Sequence, residues 1–187
     1  MSTRVGYAGG TKENPIYYSL DGHSETIQII YDPKILSYSE LLDIFWQSHN
    51  PIGKPYSRQY MSIIFYHDDN QKKQAEESRN KREAELQRSV YTTIVPAGAF
   101  YSAEDYHQKY YLQSFSWFMD ELRSLYPDFD ELIDSTIAAR LNGAAGGYGT
   151  VDLIREELDS LDLPPETVEK ILGSIDKDIT PLCPVPF

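Results

Sequence analysis

Strand-like and helical segments alternate along the first 115 residues of this 187-residue chain, and only helical segments follow. That order calls for a sheet with helices laid against it, joined to a part made of helices alone. Residues 3–7, 23–31, 60–67 and 90–95 are rich in β-branched and aromatic side chains and predict strands. Gly9-Gly10 ends the first, Asp32-Pro33 the second and Pro96 the fourth. Ser39 is predicted to cap a helix in which Leu41, Leu42, Phe45 and Trp46 recur at helical spacing. Residues 70–89 predict a long charged helix with Leu86 as its only sizeable apolar side chain, and residues 101–113 a Tyr-rich helix. Beyond them, residues 115–125, 128–141, 151–161 and 166–175 show helical spacing; Asn142-Gly143 is expected to close the second of these, and Pro165 to open the last. The Pro-rich end at 181–186 is expected to be loose.

Charge follows the same division. Residues 1–115 carry 14 acidic and 12 basic side chains, whereas residues 116–187 carry 15 and 5. The chain therefore reads as a nearly neutral domain at 1–115 followed by an acidic helical extension at 116–187. A net charge of -12 argues against nucleic acid as a partner. The N-terminus has no apolar run suited to a secretory signal, and no segment reaches the ~18 apolar residues of a membrane helix. The expectation is a cytoplasmic protein with no membrane partner. Cys183 is the single cysteine, which excludes an intrachain disulfide and a cluster held by several thiolates. His49, His67 and Asp68 do not form a metal-binding spacing, and neither a metal nor a cofactor is expected.

Residue by residue, the candidate chemistry is modest. Gly9-Gly10 followed by Asn14-Pro15 describes a tight strand-to-loop connection. Glu25 in His23-Ser24-Glu25 stands at the entry to a strand; such a carboxyl is either a solvated strand end or a general acid. Tyr outnumbers Phe by 15 to 7, and a Tyr hydroxyl is either a satisfied core group or a donor to a polar ligand. Glu104 and His107 lie three apart on the predicted Tyr-rich helix, as a structural hydrogen bond or a catalytic pair.

The ordered set is more informative than any member. VGYAGG, NPIY, HSE, YDP, SYSELLDIFWQSH, RQYMS and FYSAEDYHQ follow one another between about residues 3 and 113. Together they resemble peptide methionine sulfoxide reductase of the A type, specific for the S epimer. The resemblance implies an α+β fold, a two-layer α/β sandwich of ferredoxin-like kind around a mixed sheet. It implies reduction of methionine sulfoxide, free or in proteins, as a protein repair function under oxidative stress. In that reaction a cysteine thiolate attacks the sulfoxide sulfur and becomes a sulfenic acid. A second thiol then forms a disulfide that thioredoxin reduces. Carried over by motif, Tyr17 of NPIY and Tyr60 of RQY hold the sulfoxide oxygen, and Glu25 of HSE donates the proton to it. An oxygen that leaves as hydroxide or water needs both donors and a proton source.

The resemblance also marks what the chain does not contain. The family nucleophile lies in a Gly-Cys-Phe-Trp motif ahead of the VGYAGG segment, and no such motif occurs here. The first strand and helix of the family domain are expected to be missing with it, as in an N-terminally truncated chain. Cys183, between Leu182 and Pro184, has no cationic neighbours in sequence to activate it and is not expected to replace the nucleophile. Three readings follow. The complete gene product is a reductase and this chain an inactive portion of it; or the chain is a non-catalytic binding module for oxidised methionine; or the acidic extension captures a partner protein on an inert scaffold.

Overall fold

The structure, a computed structural model, describes residues 1–148, 151–160 and 163–178. The fold is α+β. Its strands are β1 (Ser2–Ala8), β2 (Ser24–Ile30), β3 (Ile63–Tyr66), β4 (Thr93–Pro96) and β5 (Phe100–Ser102). They form two sheets. One has the order β2-β1-β5, and the other pairs β3 with β4. Both kinds of pairing are present: β1 runs antiparallel to β5, with Tyr7 opposite Tyr101, and β3 runs parallel to β4, with Ile64 opposite Ile94.

Helix α1 (Tyr38–Gln47) begins two residues earlier than a cap at Ser39 would place it. Its cap is Ser37, not Ser39. Ser37 Oγ accepts from the Glu40 amide at 3.2 Å, and Glu40 Oε2 accepts from the Ser37 amide at 2.8 Å. Only Ser37 has a glutamate three residues on, so only Ser37 can build the reciprocal pair. Helix α2 (Asp69–Leu86) is seated by Ala75, which is fully buried, while Leu86 is only partly covered. Ser78, one turn along, accepts the indole N–H of buried Trp46 at 3.0 Å.

The predicted helix at 101–113 is not formed as one element. Phe100–Ser102 is the strand β5, Asp105–His107 a single 3-10 turn, and α3 only Tyr110–Gln113. Two tertiary demands break the period. Tyr101 pairs with β1, and Lys109 adopts a left-handed backbone (φ 49) that turns its buried ammonium onto the carbonyl and hydroxyl of Thr3. Helices α4 (Ser116–Leu125), α5 (Phe129–Asp134), α6 (Thr136–Ala145), α7 (Val151–Asp159) and α8 (Pro165–Asp178) follow among the described residues. The single helix expected at 128–141 is split at Ser135. That hydroxyl donates to the Leu132 carbonyl at 2.7 Å and accepts from the Ala138 amide at 3.1 Å, ending α5 and capping α6. Helix α6 runs through Asn142-Gly143, because Asn142 Oδ1 is engaged by the amide of Leu112 at 3.1 Å, and stops at Gly146.

Two compact units are present. One comprises Val5–Ile27 and Tyr31–Ala103. Its interior holds Leu42, Trp46, Ile64 and Ala75 in one cluster and Tyr7, Leu20 and Ala103 in another. The second unit comprises Met1–Arg4, Gln28–Ile30 and the described residues from Glu104 onward. Its core is helical, with Leu122, Leu132, Leu141, Leu158 and Ile171 almost wholly removed from solvent. Arg4 makes a two-pronged pair with Asp134 there, at 2.6 and 2.7 Å. Cys183 and the Pro-rich end at 181–186 lie outside the described residues.

Candidate functional site

Tyr17, Glu25 and Tyr60 all belong to the first unit, and the fold brings them together. The Tyr17 and Tyr60 hydroxyls are 3.1 Å apart. Gln59 links Tyr60 to Glu25: its side-chain amide donates to Glu25 Oε1 at 2.7 Å and to the Tyr60 hydroxyl at 3.2 Å. A hydrogen-bonded row thus runs Glu25–Gln59–Tyr60–Tyr17, joining positions from three separate stretches of sequence.

Each member is placed by local structure. Tyr17 lies in the turn closed by the Ser19 amide on the Ile16 carbonyl at 2.8 Å, and its ring packs on the cluster of Tyr7, Leu20 and Ala103. Glu25 is the second residue of β2, and its amide donates to the Gln59 carbonyl at 2.9 Å. Residue 60 follows directly, so this one backbone bond sets the offset between carboxyl and phenol. Tyr60 is 53% exposed, which opens the row to solvent and to a ligand. Its phenol is pushed up to about 12, first by the hydrogen bond with Tyr17 and further by the nearby Glu25 carboxylate. Near neutral pH it is therefore a donor, not a phenolate.

His23 takes a different role from its neighbour Glu25. It is 2% exposed, and its Nε2 donates to the Lys12 carbonyl at 2.9 Å. Its ring stands edge-on to Tyr101. A Cβ on Gly10 would meet His23 at 2.3 Å, so the second glycine of Gly9-Gly10 makes room for this histidine. Gly9 is needed for its backbone, with φ 81. The His49 ring is likewise structural: Nδ1 donates to Phe45 O at 2.9 Å, and Nε2 meets Ser62 Oγ at 2.9 Å. His107 and Glu104 are joined through backbone, by the His107 amide on the Glu104 carbonyl at 2.9 Å.

Gln59 is the residue that reading the motifs one by one passes over. The signal was its place inside RQY, next to a tyrosine already singled out. A concavity of about 620 Å³ lies in the second unit, lined by Tyr126, Asp130, Asp134 and Thr136 among others. It contains none of the predicted residues, and Asp134 is already paired with Arg4, so the row at Tyr60 is the better chemical candidate. Among the described residues no cluster of three metal-ligating side chains is found, and no helix is long and apolar enough to cross a membrane.

The α+β fold places two phenols beside a carboxyl, and comparison with known proteins gives the family. Residues 1–126 match the model of the peptide methionine sulfoxide reductases. Residues 128–176 match the helical domain of selenoprotein methionine sulfoxide reductase A, so the acidic helices are themselves a family feature. The chain belongs to the peptide methionine sulfoxide reductase family, A type. It is 38% identical to the Drosophila melanogaster peptide methionine sulfoxide reductase over 167 residues, covering 88% of this chain and 67% of that one. With the enzyme of Methanothermobacter thermautotrophicus it shares 46% over 121 residues, covering 59% and 72%. Among solved structures, Mxr1 of Saccharomyces cerevisiae in reduced form superposes with a TM-score of 0.56 at 28% identity, over 61% of this chain and 71% of that one. Methionine sulfoxide reductase A of Corynebacterium diphtheriae gives 0.52 at 31%, over 61% and 63%. The chain spans about two thirds of the length of the curated relatives it matches.

Proposed function

We propose that residues 1–115 carry the oxygen-binding half of a methionine-(S)-sulfoxide reductase site. The observation that carries this reading is the row Glu25–Gln59–Tyr60–Tyr17. A sulfoxide oxygen accepts hydrogen bonds strongly and must leave as water once the sulfur is reduced. The Tyr17 and Tyr60 hydroxyls hold it, and Glu25 supplies its proton. Gln59 occupies one oxygen of Glu25 and leaves the other for that proton. In the family reaction a cysteine thiolate attacks the sulfoxide sulfur, methionine departs and the cysteine is left as a sulfenic acid; a second thiol condenses with it to a disulfide, releasing water, and thioredoxin reduces that disulfide. The substrate is oxidised methionine in proteins or as the free amino acid.

The 187-residue chain itself has one cysteine and no Gly-Cys-Phe-Trp motif. This favours a second reading for the chain as written: it binds methionine sulfoxide without reducing it. The division into a reductase-like segment at 1–115 and an acidic extension at 116–187 belongs to the same proposal, supported by the charge of the extension and by the helix-only content of its described residues.

The test is a titration of the chain with a blocked methionine-(S)-sulfoxide, followed by the tyrosine ring signals in NMR, with the R epimer as control. Binding that favours the S epimer, with no methionine formed in the presence of dithiothreitol, is expected. Absence of binding would sink the site assignment. Turnover above background would show that Cys183 acts as a nucleophile.

A further inference from the structure

Arg58 lies beside the row and uses all of its guanidinium nitrogens. Nε donates to the Gly22 carbonyl at 3.0 Å, Nη2 to the Gly9 carbonyl at 3.2 Å, and Nη1 to the sulfur of Met61 at 2.8 Å. Its own carbonyl accepts the Ser24 hydroxyl at 2.6 Å. Gly9 and Gly22 are both turn residues at positive φ, 81 and 85. One planar fork therefore fastens two left-handed turns to the short segment 58–61. That segment carries Gln59 and Tyr60, and the turn at Gly22 leads into Ser24 and Glu25.

We propose that Arg58 is a positioning residue of the sulfoxide site, holding Tyr60 and Gln59 in register with Glu25. This rests on the reading of Tyr17, Glu25 and Tyr60 given above. The geometry asks for arginine in particular. A guanidinium offers five N–H donors in a fixed plane, enough for two carbonyls and a sulfur in different directions. An ammonium is a single point and cannot span all three. Arg58 itself need not touch the ligand: Tyr60 and Gln59 are exposed or half-buried side chains with little packing of their own, and donors are effective only when held within a fraction of an ångström of the working geometry.

Two readouts test the assignment in the full chain. The first needs no ligand: the titration of the Tyr60 phenol. In R58A, and to a smaller extent in R58K, it is expected to fall from about 12 toward the ordinary 10 as the pair with Tyr17 loosens. S78A, which weakens the same unit at Trp46, serves as control and should leave Tyr60 unmoved. The second is the affinity for blocked methionine-(S)-sulfoxide, expected to weaken about tenfold in R58A, the lower end of what loss of a supporting residue costs at a preorganised site. Free guanidinium, added far below denaturing concentration, is expected to restore part of both effects in R58A but not in R58K, where the lysine chain fills the space. If R58A does not fold, R58K and S24A, which removes the hydroxyl on the Arg58 carbonyl, carry the test. A Tyr60 titration unchanged in these variants overturns the positioning role. Lack of sulfoxide binding by the unsubstituted chain overturns the site reading instead, and leaves the Tyr60 result standing on its own.

Discussion

Tyr60 keeps its proton well above neutral pH, and Tyr17 is the first reason. In Y17F the hydroxyl partner is gone, and the Tyr60 midpoint should drop back toward ~10, followed by phenolate absorbance. A midpoint that stays near 12 would mean that Glu25 or burial, not the Tyr17 bond, governs it. At this scale the motifs named candidate residues but were silent on how they are connected. Gln59 and Arg58 stand in the same RQY stretch as Tyr60, yet no spacing rule links them to Glu25, Gly9 or Gly22. Those links exist only because the turns at 9–10 and 21–22 are folded against segment 58–61.

Among the elements, α1 illustrates what local rules can and cannot do. Its apolar period was plain in the sequence, and its cap was there to be read once glutamate was required three residues on. The helix end is less local. The His49 ring, just past α1, takes the neutral form in the fold: burial is the main cause, and it holds the ring below the ordinary histidine value against the opposing bond to Phe45. The unfolded chain then binds a proton more readily than the folded one below about pH 6.5. Stability that is present above this pH is lost as the pH falls through it. H49Q removes that titration, so the decline in urea midpoint between about pH 7 and about pH 5 should shrink. A decline of the same size in H49Q would place the acid sensitivity elsewhere. The predicted Tyr-rich helix failed for a comparable reason. Its period was real, but pairing of Tyr101 with Tyr7 and the burial of the Lys109 ammonium outweighed it.

On the scale of the whole chain, stability rests on separate interiors. The helical core around Leu122, Leu141 and Ile171 is as fully buried as the core around Trp46. Leu141→Ala should therefore cost about 2–5 kcal/mol, measured by urea unfolding of the full chain. A loss below 1 kcal/mol, roughly that of an exposed position, would mean that α6 is not a true core element. This bears on the acidic extension. Its net charge of -10 reads as a solvated surface, but the apolar stripes beneath it form a packed core, and the family comparison assigns these helices a domain of their own.

The amino-acid order alone carried the strand-and-helix alternation and the change to helices beyond residue 115, and the resemblance of its ordered motifs implied the α+β class and named Tyr17, Glu25 and Tyr60 as candidates. Periodicity, capping and motif order are short-range properties, so they survive in one dimension. What waited for the folded chain was the distribution of the strands over two sheets, the division of α5 from α6 at Ser135, and the hydrogen-bonded row through Gln59 with Arg58 behind it. These depend on groups dozens of residues apart meeting within about 3 Å, and a hydrogen bond acts only at that range.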